Sequence, residues 1–423
     1  MSKKILMLVS LLILLSLILA ACAQPTPEKV VEEVEVVKTV VVTEIVEIEG
    51  EPVVQEVVKE VVVTQEVEVE VPAETEGFAR GEILARVLDR GKVVCGGRTD
   101  LLGFGYLDES GNNVGFDIDT CRAVAAAVLG DPEAVEIVPL TAADRGPALQ
   151  TAEVDILSRN ATWTSSRDAQ WGNFTIVTFY DGQGFMVPTD SGITSIEEMG
   201  GASVCVTSGT TTEKNLADAF RERGLDYEAV IFEETASVYS AYEEGRCDAT
   251  TSDKSQLAAV REGFADPDAH VILPITISKE PLTPAVPHGD DQWFDIVKVV
   301  IYGLINAEEL GVTQDNVEEM KSSDNINTRR LLGQEGDWGN SDLGSDVEAL
   351  ANAIAAVGNY GEIYNRYMGP EGEAFDLPRE LNELWSNGGL IYAPPVKESI
   401  TTNKRYECTA GIPAVHSNYP TLR

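Results

Sequence analysis

The chain has 423 residues, 43% hydrophobic and 24% charged, which is enough for about two domains of ordinary size plus segments that build no core. Its 70 acidic residues outnumber 31 basic ones, for a formal net charge of −39. So acidic a balance argues against nucleic acid and anionic membrane surfaces as partners, and leaves the fold open.

Lys3 and Lys4 precede an apolar run over residues 5–21, and Leu19-Ala20-Ala21 lead into Cys22. This resembles a bacterial lipoprotein signal peptide. In that reading residues 1–22 form the leader, and Cys22 becomes the first mature residue, carrying the lipid that anchors the chain outside the cytoplasmic membrane. The alternative, an uncleaved anchor, needs about 20 apolar residues. No later stretch is apolar enough to span a bilayer, so the remainder is expected to be exported and exposed to water.

Over residues 23–77 the composition narrows to little more than Val, Glu, Thr, Gln, Lys and Pro. Val36-Val37-Lys38-Thr39-Val40-Val41-Val42-Thr43 recurs as Val57-Val58-Lys59-Glu60-Val61-Val62-Val63-Thr64, an offset of 21 residues. That period suits a helical stalk or coiled coil. The alternation Glu66-Val67-Glu68-Val69-Glu70-Val71 suits an extended strand, and β-branched Val disfavours helix. Both backbones stay open. The segment builds no core of its own and is expected to act as a spacer, self-associating through its Val face.

A globular pattern begins at Phe78. Residues 83–88 read as a short helix, and Lys92-Val93-Val94-Cys95-Gly96-Gly97 as a buried strand ending in a turn. After a loop over 98–106, Gly115-Phe116-Asp117-Ile118-Asp119 opens a strongly helical run, with acids in the first turn where the helix dipole favours them. Strand 135–139, helix 145–151 and strand 154–157 then alternate, which implies a parallel sheet with ligands at the carboxyl ends of its strands.

The stretch 155–168 lies at one such end and reads Asp-Ile-Leu-Ser-Arg-Asn-Ala-Thr-Trp-Thr-Ser-Ser-Arg-Asp. It places Arg167 in the opening turn of a helix, where the dipole disfavours a cation by a few tenths of a kcal/mol unless an anion lies nearby. A guanidinium beside Asn160, Thr162 and Thr164 is suited to a bidentate grip on a carboxylate. The plain alternative is a surface arginine after a threonine cap.

Near residue 187 the pattern restarts, with strand 202–206, loop 207–211 and a helix to residue 220. Thr210 and Glu213 have capping-box spacing, and residues 208–212 also offer backbone N–H groups to an anion. Strand 229–232, helix 236–244 and Cys247-Asp248-Ala249-Thr250-Thr251-Ser252-Asp253 follow. Asp253 suits a helix N-cap, and equally a partner for an ammonium group. A Pro-rich passage over 281–287, an amphipathic helix over 293–310 and helices over 347–357 and 360–367 complete the body. These elements divide into a first lobe over 78–187, a second over 188–285, the remainder of the first over 286–395, and a polar tail over 396–423. Opposite charges offered by two lobes are what a closing cleft for a zwitterion requires.

Gly115-Phe116-Asp117-Ile118-Asp119-Thr120-Cys121-Arg122-Ala123-Val124 resembles the signature of family 3 bacterial solute-binding proteins, with Thr120 where an aliphatic residue is usual. Closer still, residues 155–168, Tyr180-Asp181-Gly182-Gln183-Gly184-Phe185, Gly209-Thr210-Thr211-Thr212-Glu213, Val271-Ile272-Leu273-Pro274 with Lys279-Glu280-Pro281-Leu282, and Val357-Gly358-Asn359-Tyr360-Gly361-Glu362-Ile363 resemble its general L-amino-acid-binding branch. The resemblance covers roughly 81–395. It implies an α/β, two-lobed periplasmic-binding-protein-like fold, the second lobe inserted in the first and joined by a two-segment hinge near Val187 and Val286. It also implies that Arg167 binds the substrate carboxylate with Thr162 as a neighbouring donor, that Thr211 is the second lobe's carboxylate contact, and that Asp253 takes the α-ammonium. Asn160, Trp163 and the 98–106 loop with Asp100 fall where side-chain specificity is set. Trp163 suits a core position equally, and Arg98 and Asp100 suit ordinary solvated loop charges.

Six cysteines suit an exported chain. With Cys22 lipidated, pairs Cys95 with Cys121 and Cys205 with Cys247 would each stay within one lobe and leave closure free, with Cys408 left over. Buried thiols are the alternative.

Some dehydratases and peptidoglycan-cleaving enzymes share the implied fold, so a small-carboxylic-acid dehydratase and a ligand-sensing domain compete as functions. Against an enzyme, His270, His288 and His416 are the only histidines, and none lies in the expected cleft stretches. No zinc spacing, phosphate loop or dinucleotide fingerprint appears, so no catalytic residue, metal or cofactor is expected. The reading is a lipid-anchored receptor on the outer face of the cytoplasmic membrane, in a periplasm or at a cell surface. It would capture free L-amino acids of broad or polar range and present them to the permease of an ABC importer, with membrane contact through the lipid and none with nucleic acid.

Overall fold

The computed structural model describes residues 28–48, 51–71, 81–370, 372 and 375–397. The expected leader with Cys22, and Cys408 with most of the expected tail, lie outside the described residues. The chain divides into two units, Met1–Glu76 and Gly77–Arg423.

In the first unit β1 (Glu28–Ile48) pairs antiparallel with β2 (Glu51–Val71), in register from Glu28 opposite Val71 to Ile48 opposite Glu51. Of the two backbones open to this segment, the extended one is adopted, the one that a Val-rich sequence favours. The two copies of the 21-residue repeat face each other, Val36 opposite Val63 and Val42 opposite Val57. Among the described residues no helix is long and apolar enough to cross a membrane.

The second unit opens with α1 (Glu82–Arg90), which buries Ile83, Leu84 and Val87 on one face. β3 (Val93–Gly97) is buried along its whole length, as a strand covered on both faces must be. A small antiparallel sheet of β4 (Asp100–Leu101), β5 (Gly105–Leu107) and β6 (Asn113–Val114) leads to α2 (Phe116–Leu129). Gly115, just before α2, has φ 134°, and a Cβ there would lie 2.3 Å from the Phe104 carbonyl oxygen, so only glycine fits. β7 (Val135–Pro139), α3 (Arg145–Gln150), β8 (Ile156–Leu157), α4 (Ser165–Gln170) and β9 (Asn173–Phe174) continue the first lobe.

β10 (Phe179–Asp181) carries the chain out of it. The second lobe comprises β11 (Gln183–Pro188), β12 (Ser203–Thr207), α5 (Thr211–Arg223), β13 (Glu228–Phe232), α6 (Thr235–Glu243), β14 (Ala249–Asp253), α7 (Lys254–Arg261) and β15 (His270–Ile272). Its sheet runs β13-β12-β14-β11-β15, with β11 antiparallel to both neighbours. Alternate residues feed cores on its two faces: Phe185, Val187, Val204 and Val206 on one, Met186 and Cys205 on the other.

β16 (Glu280–Leu282) returns antiparallel to β10, with Asp181 opposite Glu280. β17 (Ala285–Val286) then completes the first sheet in the order β7-β3-β8-β17-β9. The second lobe is therefore inserted in the first, and β10 and β16 are the paired crossings. The expected crossing points fall inside the sheets instead: Val187 is hydrogen-bonded within β11 to β15, and Val286 within β17 to β9.

α8 (Asp291–Glu309), α9 (Ala349–Val357) and α10 (Tyr360–Met368) share one core with α2. Trp293 is fully buried there, and its indole donates to the Asp155 carbonyl at 2.9 Å. The Asp155 carboxylate accepts from Val94 N at 2.8 Å and pairs with Arg86 and Arg90, tying β8 to β3 and α1. Disulfides join Cys95 to Cys121, between β3 and α2, and Cys205 to Cys247, between β12 and the turn before β14. Each bridge stays within one lobe.

Candidate functional site

The residues that sequence reading singled out come from segments far apart in the chain. Thr164 caps α4, its hydroxyl accepting from Arg167 N at 3.2 Å. This sets Arg167 in the first turn, where its Nη1 donates to the Thr162 carbonyl at 3.1 Å and its Cζ stacks 4.5 Å from the centre of the Trp171 ring. Asn160 adopts φ +31°, a left-handed conformation that asparagine tolerates, and its N–H donates to Asp117 at 2.6 Å. Burial pushes the Asp117 carboxyl up to about 6.

In the second lobe Thr210 caps α5 by accepting from Glu213 N at 3.1 Å, and Glu213 returns the bond to Gly209 N rather than to Thr210. Asp253 stands at the N-cap of α7 but makes no capping bond. It is 5% exposed and its Oδ1 has no hydrogen-bond partner among the described residues. A buried carboxylate oxygen left without a donor is costly unless something outside the chain supplies one.

Arg167, Thr162, Asn160, Thr211 and Asp253 all line one inner cavity of about 30 Å³, together with Arg98, Arg145, Arg159, Thr235, Ser252 and Gln256. The lobes meet across it. Thr162 Oγ1 lies 3.3 Å from Thr211 Oγ1, and the Gln256 carbonyl oxygen accepts from Arg98 Nη1 at 3.1 Å and from Asn160 Nδ2 at 3.3 Å.

Two expected residues stand elsewhere. Trp163 does not line this cavity; its ring is 40% exposed and its backbone N–H donates to the Pro281 carbonyl. The aromatic partner of Arg167 is Trp171. Asp100 pairs with Arg98 at 2.8 Å and lines an adjoining outer cavity of about 210 Å³, which shares Arg98, Ala142, Arg159 and Thr235 with the inner one. A larger space of about 370 Å³, beside β10 and α7, holds none of the expected residues.

Four buried guanidiniums therefore face a cavity with one lining carboxylate. Arg145 and Arg159 use Nε on the carbonyls of Ala142 and Leu140, at 3.0 and 2.6 Å. Burial lowers Arg145 well below its ordinary value, with repulsion from Arg159, Arg167 and Arg98 adding to it. Burial and Arg98 lower Arg159 to about 9. Arg98 Nη2 has no partner among the described residues. On the acidic side, burial first, then Asp181 and Glu280, push the Asp253 carboxyl well above its ordinary range. Asp181, opposite Glu280 across the crossing strands, is raised to about 6 by burial, with Glu280 reinforcing the rise.

Sequence reading gave no role to Arg145, Arg159, Gln256 or Glu280. Arg159 sat within the central stretch at a strand's carboxyl end, and Glu280 within a motif quoted for the family resemblance. Arg145 had only the following Gly146 as a signal: a Cβ there would lie 2.6 Å from the Trp171 indole nitrogen, so the glycine lets that turn pack down.

The lining offers anion-binding forks on the first lobe and, on the second, a carboxylate oxygen with no partner among the described residues, charges opposite to those of a zwitterion. Residues 93–370 match the bacterial extracellular solute-binding proteins, family 3. The chain is 52% identical over 321 residues to the general L-amino acid-binding periplasmic protein AapJ of Rhizobium johnstonii, covering 75% of this chain and 94% of that one. It is 46% identical over 323 residues to the glutamate/glutamine/aspartate/asparagine-binding protein BztA of Rhodobacter capsulatus, covering 76% and 95%. Among solved structures, an ABC transporter periplasmic binding protein from Brucella ovis with glutathione bound is 48% identical, with a TM-score of 0.73 over 76% of this chain and all of that one.

Proposed function

Because the chain belongs to the bacterial extracellular solute-binding proteins of family 3, we propose that it captures free L-amino acids outside the cytoplasm and hands them to an ABC importer. The observation that carries this reading is the meeting, in a single cavity, of Arg167 from one lobe and from the other the Asp253 carboxylate, whose Oδ1 has no partner among the described residues. Arg167 takes the α-carboxylate and Asp253 the α-ammonium. Arg98, Arg145 and Arg159 leave further positive charge at the far wall, which favours ligands with a second carboxylate or a polar amide over apolar side chains.

Capture proceeds by bending at β10 and β16, which brings Gln256 and Thr211 onto Arg98, Asn160 and Thr162 and excludes water from the ligand. The closed form docks on the permease. The leader and Cys22 support a lipid anchor, and the Val/Glu ribbon a spacer. Calorimetric titration of the detergent-purified protein against free amino acids tests the reading: micromolar or tighter binding that is lost on α-esterification is expected. Absence of binding by every amino acid would refute it. Mass measurement of the mature N-terminus tests lipidation of Cys22.

A further inference from the structure

We infer that the β1–β2 ribbon is a pairing element: its Val-rich face packs on the same face of a second copy of the chain, so that the protein is a dimer joined through residues 28–71. This stands apart from the amino-acid reading and does not rest on it.

β1 and β2 keep one unbroken antiparallel register over 21 residues each. Successive residues of a strand alternate between faces, and residues directly opposite one another share a face. The even-numbered positions of β1 and the odd-numbered positions of β2 therefore form one face, and the remaining positions form the other. The two differ sharply. Val or Ile fills most of the first face, including the opposed pairs Val36 with Val63, Val42 with Val57 and Val46 with Val53. The second face carries eight glutamates and one lysine, with Val or Ile at a minority of its positions. A two-stranded ribbon with a bare apolar face is marginal in water and becomes stable when that face is covered. Lipid does not suit it, because β1 and β2 make a two-stranded sheet in which both strands are edges, and their free N–H and C=O groups would go unpaired in a bilayer. Length selects among the remaining covers. At about 3.3 Å per residue, strands of 21 residues make a strip about 70 Å long. A compact globule of the second unit's length is about 50 Å across, too short to cover it. A second ribbon matches the strip end to end. Two such strips, each about 10 Å wide, would together remove about 1,400 Å² from water, which is the size of a stable specific interface. The acidic face resists the same contact by like-charge repulsion, which stops association at two copies.

Sedimentation velocity of the detergent-purified full-length protein tests this, in a Cys408→Ser background so that no disulfide there joins two chains. The unaltered ribbon should give a dimer at micromolar concentration. Val36→Glu with Val63→Glu, an opposed pair on the Val-rich face, should weaken the dimer about a hundredfold or more. Val41→Glu with Val58→Glu, an opposed pair on the acidic face, should change it by less than about twofold. If circular dichroism shows that either glutamate pair melts the ribbon, Thr at the same positions decides, because Thr keeps the β-branched preference for strand. Val36→Thr with Val63→Thr should then weaken the dimer about tenfold, and Val41→Thr with Val58→Thr by less than about twofold. A monomer at every concentration, equal weakening from the two faces with the ribbon intact, or a dimer that survives removal of residues 28–71 would each overturn the inference.

Discussion

The two walls of the cavity hold buried charge in opposite ways. On the first lobe, Arg145, Arg159 and Arg167 each anchor one guanidinium nitrogen on a backbone carbonyl. That fixes the direction of the fork and leaves the charge without an ion-paired carboxylate among the described residues. On the acidic side, Glu280 has four donors, and Asp181 accepts from Gly182 N at 2.7 Å and Ser255 N at 3.2 Å, while Asp253 keeps one oxygen empty. A charge satisfied from within the chain is scaffolding. A guanidinium oriented but not neutralised is free for a ligand, because its desolvation without a partner costs several kcal/mol in the free protein and is relieved on binding.

Breaking the oriented charges should cost most. Arg167→Ala should weaken every L-amino acid alike, by about 2–5 kcal/mol, because it strands the ligand carboxylate in a closed cavity. Calorimetry across acidic, amide and neutral amino acids checks this, and a loss confined to acidic ligands would move the α-carboxylate to another arginine.

Asp253→Asn should cost about 1.5–3 kcal/mol for ligands with an ammonium group. It should also remove a pH dependence. In the free protein Asp253 holds its proton above the ordinary range, and an ammonium partner expels it, so binding releases a proton. Affinity should therefore fall as pH drops through the raised value, by up to about tenfold per unit. Titrations in buffers of different ionisation enthalpy read the proton directly. A flat profile in the unaltered protein would show that Asp253 is already ionised before the ligand arrives.

Satisfied charges should matter for stability more than for affinity. Asp181 is raised to about 6 in the fold, so its contribution to stability is fully present below the unfolded value, near 3.8, and lost as pH rises through about 6. Asp181→Asn should stabilise the protein by on the order of 1–3 kcal/mol at pH 8 relative to its effect at pH 4. Thermal melts at the two pH values measure the difference, and the same offset at both would mean that Asp181 is not protonated in the fold.

Trp163→Ala should change affinity least, within about 0.5 kcal/mol, since the residue is 40% exposed and does not line the inner cavity. An effect comparable to that of Arg167→Ala would show that the ring covers the bound ligand.

Much of the frame was legible because its signals are local. The Thr164 cap before Arg167, the Thr210 cap of α5, the helical run after Gly115 and the alternation of strand and helix all depend on residues within a few positions of one another. The crossing points were misplaced because Val187 and Val286 look like the ends of apolar runs, whereas sheet membership depends on pairing with β15 and β9. Asp253 illustrates the limit. Its N-cap position follows from sequence, but the absence of a capping bond depends on where α7 sits.

Sequence by itself determined that the chain has two α/β lobes, that a guanidinium is set at the opening turn of α4, that an acid ends β14, and which family the motifs resemble. Tertiary structure alone decided that Arg145 and Arg159 join Arg167 around one cavity, that Trp171 stacks on Arg167, and that Glu280 accepts from Thr162 and Thr211. Caps and periodicity are written in neighbouring residues. The partner of a buried charge is chosen by segments about a hundred residues apart that meet only when β10 pairs with β16.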